Sequence, residues 1–184
     1  MLRAPLASLV FAAALAQTAH ADEVTDTLNS AIKAYEEGDV QYALEELDYA
    51  RQLMAAMKAD ALSGFLPEAP AGWTREVDDD IAAGLSLIGG VGAEADYSDG
   101  TDTFTITIMA DNPMISAMSG VMGNATLMGA KIERVGRQKF MNQDGELSGL
   151  IDGRILVKAD GADIDVMIPI LEMIDYRELG RFGM

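Results

Sequence analysis

The chain lacks cysteine altogether and has a single histidine, His20. Without cysteine there is no disulfide, no thiolate nucleophile, no Cys-x-x-Cys-His attachment of haem and no lipid anchor on a cysteine. Because His20 lies in a predicted signal peptide, the mature chain has no histidine either. These two absences exclude Ser-His-Asp and Cys-His catalysis and the usual zinc sites. An enzyme built from this chain would rely on Asp, Glu, Lys or Tyr.

Apolar runs of membrane-spanning length are also missing. At the N-terminus, Arg3 is a short positive region, residues 6–16 are apolar, and an Ala-x-Ala pattern ends at Ala21. This is the pattern of a signal peptide, and the apolar run is too short to cross a bilayer. We therefore expect cleavage of residues 1–21 and a mature protein that begins near Asp22, in a bacterial periplasm or outside the cell, without membrane insertion.

Positive charge is scarce: 13 Lys and Arg stand against 30 Asp and Glu, which gives a net charge of −17. So acidic a surface repels nucleic acid and anionic lipid headgroups and favours a basic partner. Aromatic residues make up only 6% of the chain, yet the hydrophobic content of 49% is typical of a globular protein.

Residues 22–64 predict a hairpin of two amphipathic helices. The first helix, at 25–37, repeats apolar residues every three or four positions. Gly38 suits the left-handed backbone of a helix C-terminus, and Asp39 suits the N-cap of the second helix. A Pro- and Gly-containing segment at 65–72 is predicted to be a linker.

The hairpin resembles one tetratricopeptide repeat, in which small residues let two antiparallel helices approach closely. The matching positions are Ala31, Tyr35, Gly38, Ala43, Leu47 and Ala50. The family's Trp and Pro positions hold Thr27 and Ala55 here, and an ordinary helical hairpin is the alternative. Either hairpin has more apolar surface than two helices can cover on each other, so the surplus must rest on the sheet domain, a second copy or a partner. The residues concerned are Leu28, Ile32, Tyr35, Leu44, Leu47 and Met54. Because the linker is short and holds two prolines, we expect one face to dock on the sheet domain of the same chain, while the acidic outer face stays available.

From residue 73 onward the pattern becomes strand-like, and we expect an α+β domain at 73–184. Phe104, Ile106 and Ile108 alternate with threonines, as in a strand with one buried face. The predicted strands are residues 73–76, 94–97, 102–110, 131–135, 138–142, 146–151 and 154–160. We expect helices at 112–122 and 163–179, with Pro169 as a kink or a late start of the second. The order ββ(β)-α-ββββ-α predicts an antiparallel sheet with helices packed on it.

The glycine-rich segment at 81–92 lacks the Gly-x-Gly-x-x-Gly spacing of a phosphate-binding loop. It predicts a flap or a bulged strand, and the sequence does not choose between the two.

The chain from residue 66 onward also resembles an uncharacterised group of secreted proteobacterial proteins. The resemblance rests on Phe65-Leu66-Pro67, Pro70-x-Gly72-Trp73, Asp111-Asn112-Pro113-Met114, Ile151-x-x-Arg154 and Ile174-Asp175. It implies secretion and supports the domain limits, and it brings no activity with it.

Met114, Met118 and Met122 recur at every fourth residue of the predicted helix at 112–122. Thioethers are suitable ligands for Cu(I). A helix that lies on a sheet also needs an apolar stripe, which methionine fills well. We expect core packing, and a Met-based carrier of copper or an apolar ligand is an alternative.

Three acidic clusters are candidates for metal binding or catalysis: Asp78-Asp79-Asp80, Asp96/Asp99/Asp102 and Asp160/Asp163/Asp165. Oxygen ligands suit Ca²⁺, but no cluster has the order of an EF-hand loop. Two of the clusters coincide with predicted turns, where Asp bonds the local backbone. We expect solvated turns, with no metal and no cofactor. Paired carboxylates acting as acid and base would instead make a hydrolase.

Two sets of charged residues are the candidate binding residues. A basic island, able to grip an anionic ligand or to neutralise acids on neighbouring strands, consists of Arg134, Arg137 and Lys139. The acids of the hairpin are Glu36, Glu37, Glu45, Glu46 and Asp48. The sequence thus predicts a non-enzymatic periplasmic binding or interaction protein for a protein partner or small ligand, with a carboxylate-dependent hydrolase as the main alternative.

Overall fold

The computed structural model describes residues 14–78, 90–112, 115 and 131–184, in two compact units divided between Met57 and Lys58. Its helices are α1 (Ala14–Glu36), α2 (Val40–Ser63), α3 (Ile164–Leu171) and α4 (Tyr176–Leu179). Its strands are β1 (Thr74–Asp78), β2 (Val91–Ser98), β3 (Thr103–Ala110), β4 (Lys131–Val135), β5 (Gln138–Gln143), β6 (Glu146–Ile151) and β7 (Ile155–Asp160). Two helices followed by an antiparallel sheet and further helices make an α+β fold, as the sequence predicts.

The first unit is the helical hairpin, and its turn has the predicted chemistry. Gly38 has a positive φ of 87°, which ends α1, and the Asp39 carboxylate accepts a hydrogen bond of 3.1 Å from the Tyr42 N–H, which caps α2. In contrast to the prediction, α1 begins at Ala14, because the alanine-rich residues before Asp22 are strong helix formers. In the described residues, neither α1 nor α2 contains an apolar stretch that is long enough to cross a membrane.

The second unit contains a seven-stranded sheet in the order β1-β2-β3-β7-β6-β5-β4. Every neighbouring pair is antiparallel. The Asp144-Gly145 and Asp152-Gly153 turns have positive φ at both residues, as hairpin turns between such strands require. The β3–β7 pair joins strands distant in sequence and places β1 and β4 at the two edges.

The core lies on one face of this sheet. The predicted alternation of β3 is confirmed: Phe104, Ile106 and Ile108 are buried, and the threonines between them are not. Helical residues pack on the same core, among them Leu62 from the last turn of α2 and Met167 from α3. The largest fully buried side chains are Tyr97, Phe104, Phe140, Leu62, Ile106, Ile108, Leu147, Ile155, Met167, Leu171, Leu179 and Val135.

The segment predicted to be a linker contributes to this core. Leu66 is buried, and the Pro67 carbonyl accepts hydrogen bonds from the Tyr97 hydroxyl at 2.6 Å and from Arg75 Nη1 at 3.1 Å. Since Arg75 Nη1 also donates to the Leu66 carbonyl at 3.0 Å, residues 66 and 67 are held against β1 and β2.

The prediction of one helix at 163–179 is wrong. Helix α3 ends at Leu171 and α4 begins at Tyr176, so the break falls at 172–175 and not at Pro169, which lies inside α3. The Asp175 carboxylate accepts hydrogen bonds from the N–H groups of Arg177 and Glu178 at 3.1 and 3.0 Å. This side-chain cap starts a second short helix, and it interrupts what the sequence pattern presents as one element.

Candidate functional site

The hairpin buries small side chains and exposes large ones. Ala31 and Ala34 of α1 and Ala43 and Ala50 of α2 are buried. Nine of the twelve exposed large hydrophobic residues in the described part of the chain belong to this unit. They are Ile32, Tyr35, Val40, Tyr42, Leu44, Leu47, Tyr49, Met54 and Met57. Contiguous exposed apolar surface of this kind marks an interaction site more often than chance exposure does.

These side chains fall on two sides of the hairpin. On one side, the Tyr49 hydroxyl donates a hydrogen bond of 2.9 Å to the Glu23 carboxylate. This bond and the negative charge of Glu23 raise the pKa of Tyr49, and Tyr42 lies on the same side of α2, two turns earlier.

The opposite side carries most of the exposed aliphatic residues of the hairpin. Val40, Leu44 and Leu47 follow one another at helical spacing on the side of α2 away from Tyr49, and Met54 lies two turns after Leu47, with Arg51 between them. Because the helices are antiparallel, the side of α1 away from Glu23 adjoins this stripe, and it carries Ile32 and Tyr35. We call the six residues the hairpin face: Ile32, Tyr35, Val40, Leu44, Leu47 and Met54.

The hairpin carries excess negative charge, and part of it lies beside the hairpin face. Glu36 and Asp48 are one helical turn from Ile32 and Leu44, whereas Glu45 is one turn from Tyr42 and Tyr49, on the other side. Residues 22–57 contain nine acidic and two basic residues. Of the predicted binding acids, Glu36, Glu37, Glu45 and Asp48 are exposed and Glu46 is partly buried. The Lys33–Glu37 and Asp48–Arg51 ion pairs, at 4.0 and 3.5 Å, are exposed and neutralise little. The hairpin therefore combines apolar surface with excess negative charge.

The predicted basic island lies at the edge of the sheet. Arg134 of β4 and Lys139 of β5 are register partners, so both side chains project from the same face, and Arg137 lies in the turn between them. All three are exposed, and none forms an ion pair within the described residues. The structure thus brings these three residues together, as the sequence predicts, but away from the acids of neighbouring strands.

Two exposed apolar residues are linked to the island, one by its place on β4 and one through the β4–β5 turn, and no residue pattern predicts them. Ile132 lies two residues before Arg134 on β4 and on the same face of the strand. Met173 follows Glu172, whose carboxylate accepts a 2.9 Å hydrogen bond from the Gly136 N–H in the β4–β5 turn. Both are among the exposed large hydrophobic residues. We call the five residues the basic patch: Ile132, Arg134, Arg137, Lys139 and Met173.

Local hydrogen bonds explain two members of the acidic clusters, Asp96 and Asp99. The Asp99 carboxylate accepts 2.8 Å hydrogen bonds from the N–H groups of Thr101 and Asp102, which lower its pKa. Asp96 accepts a hydrogen bond from the Thr105 hydroxyl at 2.5 Å. A cleft of about 500 Å³ has five carboxylates in its lining, those of Asp102, Asp144, Glu146, Asp160 and Asp163. No three His, Cys, Asp or Glu side chains in the described residues are arranged to hold a metal ion.

The face of the sheet opposite the core carries a polar row that the sequence did not reveal. One residue from each strand lies in register across the sheet: Asp78, Glu94, Thr107, Lys158, Ser148, Met141 and Ile132. Thr107 donates to Glu94 at 2.6 Å, and Lys158 and Ser148 both contact the Glu146 carboxylate at 3.0 Å. Because these carboxylates already accept donors from their neighbours, the row stabilises strand pairing.

Two residues that carry the resemblance to secreted proteins, Asp111 and Arg154, meet in one cluster in the second unit. Asp111 accepts from Lys58 Nζ at 2.6 Å and from Arg154 Nη1 at 3.2 Å. Arg154 Nη2 also donates to the carbonyls of Gly180 and Phe182. Arg154 thus joins β7, the end of β3 and the C-terminal segment, so its role here is structural.

Several predicted features lie outside the described residues. Met114, Met118 and Met122, most of the predicted helix at 112–122, Asp79 and Asp80, and residues 81–89 of the glycine-rich segment are among them. Core packing and metal binding by these methionines stay predictions.

Comparison of the chain with family models, curated proteins and solved structures gives no match. Neither the tetratricopeptide resemblance nor the resemblance to secreted proteobacterial proteins is tested by it, and both stay predictions.

Proposed function

We propose that this chain is a non-enzymatic periplasmic binding protein, and that its hairpin face binds a partner with apolar and basic side chains. The concentration of exposed large apolar residues on the hairpin supports this most directly. Exposed apolar surface costs free energy in water, about 25 cal/mol per Å², which a partner recovers by covering it. The excess of acids on the hairpin favours a basic partner and disfavours an acidic one.

The hydrolase and the Met-based carrier are weaker proposals. The described carboxylates on the polar side of the sheet accept hydrogen bonds from threonine, serine and lysine neighbours. The methionines of the carrier lie outside the described residues.

The periplasmic location rests on the Ala-x-Ala pattern ending at Ala21. Cleavage there yields a mature protein that begins at Asp22, and N-terminal sequencing of the protein purified from periplasmic extract checks this start.

Capture from periplasmic extract with matched variants tests the binding proposal. We expect Leu44→Ser/Leu47→Ser to lose a partner that the wild type captures. Glu36→Lys/Asp48→Lys should weaken its capture, because these acids lie one helical turn from Ile32 and Leu44 of the hairpin face. The control is Tyr42→Ser, since Tyr42 is on the same helix and is 46% exposed, against 48% for Leu47, but lies on the other side. Melting temperatures of all variants should stay close to that of the wild type, because the changes are at the surface.

The partner must then bind the wild type directly after purification, with the same ranking of variants. Equal capture by Leu44→Ser/Leu47→Ser and Tyr42→Ser would contradict the proposal. A hydrolytic activity abolished by carboxylate substitutions on the sheet would favour the enzyme instead.

A further inference from the structure

The two exposed surfaces of this chain are complementary to each other. The hairpin face is apolar and has Glu36 and Asp48 beside it, in a unit with nine acidic and two basic residues in 22–57. The basic patch has three cations without an ion pair in the described residues, beside two exposed apolar side chains. In a chain of net charge −17, so local a concentration of positive charge is an exception. Protein interfaces usually have an apolar centre and a polar or charged rim on each of the two partners.

We propose that a second copy of this chain is the partner of the hairpin, and that the hairpin face of one molecule docks on the basic patch of another. This inference rests on the proposed function, because it uses the same hairpin surface. Each molecule carries both surfaces, so the contact is either made twice in a closed dimer or repeated head to tail.

Local complementarity outweighs the like net charge of the two copies under physiological salt. The Debye length is about 8 Å at an ionic strength of 0.15 M, so repulsion between distant charges is largely screened. Charges in contact at an interface are screened much less. Arg134 and Arg137 add a geometric preference, since a guanidinium binds a carboxylate with two parallel hydrogen bonds.

Two charge-reversal variants test the contact from its two sides. The acid-reversal variant is Glu36→Lys/Asp48→Lys, at exposed residues that lie one helical turn from Ile32 and Leu44 of the hairpin face. The patch-reversal variant is Arg134→Glu/Arg137→Glu. Sedimentation velocity over a concentration series should show association of the wild type, and each variant alone should associate at least about tenfold more weakly.

Mixing the two variants gives the decisive result. In the mixture, lysines of one hairpin meet glutamates of the other patch, and the unchanged acidic hairpin meets the unchanged basic patch. Association should therefore return to within about threefold of the wild-type value, although both components are weak alone.

The matched control is Glu76→Lys/Asp165→Lys. Glu76 lies on the edge strand opposite β4, and Asp165 lies at the end of α3 away from Met173. This control changes the net charge by the same amount as the acid reversal, so it should associate like the wild type. Equal effects of the control and the acid reversal would show that net charge governs association, and would overturn the inference.

A wild type that is monomeric at every concentration would also overturn it, as would a mixture that does not associate. These failures differ from failure of the proposed function. If the protein is monomeric but Leu44→Ser/Leu47→Ser still loses another captured partner, the hairpin binds a different basic protein and only the second copy is refuted. Circular dichroism of each variant shows that the fold is retained.

Discussion

Tyr97 shows how one side chain fixes the segment that follows the hairpin. Its ring is fully buried and stacks on Phe104 with centroids 5.3 Å apart, and its hydroxyl donates to the Pro67 carbonyl at 2.6 Å. Burial raises the pKa of Tyr97 to about 12. The hydroxyl therefore stays protonated and bonded in conditions where an exposed tyrosine would ionise.

Tyr97→Phe should destabilise the protein by about 1 kcal/mol at neutral pH, as measured by urea unfolding. The loss is one net hydrogen bond, and it stays modest because Arg75 still donates to the Pro67 carbonyl. The pKa of Tyr97 is higher in the folded than in the unfolded chain, where it is about 10. The stability contributed by its protonated form is thus fully present below pH 10 and is lost as the pH rises towards about 12.

The difference between wild type and Tyr97→Phe should therefore shrink over that pH range. Other tyrosines titrate equally in both proteins, so the comparison cancels their contribution. A difference that stays constant or grows above pH 10 would show that the hydroxyl is not held as described.

Residue patterns predicted local conformation well where that conformation depends only on neighbouring residues. The alternation in β3, the cap formed by Asp39 and the positive φ of Gly38 each follow from neighbouring residues. Asp111 has a positive φ of 57°. Its side chain is held by Lys58 and Arg154, which are distant in sequence, so local residue patterns could not predict this conformation.

At the scale of elements, Arg154 links the C-terminal segment to the sheet. Its guanidinium bonds Asp111 and the carbonyls of Gly180 and Phe182. The planar guanidinium of an arginine donates from several N–H groups and reaches several acceptors at once, whereas a lysine has one compact ammonium group.

Arg154→Lys should cost about 1–3 kcal/mol in urea unfolding, because some of these acceptors lose a charged donor. Amide hydrogen exchange of residues 180–184 should also become faster. Arg181→Lys is the control, since Arg181 forms an exposed pair with Glu178 at 2.7 Å and should change stability by less than about 1 kcal/mol. Equal effects of the two substitutions would contradict the role given to Arg154.

The order of the elements and the positions of the strands were predictable from the sequence. The break between α3 and α4 and the pairing of β3 with β7 were not. The four strands after residue 130 lie where turn residues place them, within one residue. The break between α3 and α4 depends on the Asp175 side chain as a cap, which the apolar pattern does not distinguish from a continuous helix. The β3–β7 pair joins distant segments, and local sequence does not specify it.

At the scale of the whole molecule, composition predicted the charge, and the order of helix and strand patterns predicted the class of fold. Neither predicted the arrangement of the surfaces. The sequence indicated more apolar surface on the hairpin than its helices could cover, and Ile32, Leu44 and Leu47 are indeed exposed. It could not show that Ile132 and Met173 adjoin the basic island, since only strand register and the Glu172–Gly136 bond place them there.

The central claim is that the hairpin face is open in the free protein and covered when a partner binds. Methionine oxidation tests it, because accessible thioethers oxidise faster than buried ones. Met54 on the hairpin face is 44% exposed, Met184 is 84% exposed and Met167 is fully buried, so the chain holds its own controls.

The measurement is the rate at which dilute peroxide oxidises each methionine, read by peptide mass spectrometry. Two samples are compared: the protein alone at low concentration, and the protein bound to its partner or to a second copy. We predict that Met54 oxidises readily in the dilute protein and is protected at least about fivefold in the bound form. Met184 should react quickly and Met167 slowly in both. Equal oxidation of Met54 in the free and bound forms, or a rate in the free protein as slow as that of Met167, would contradict the account.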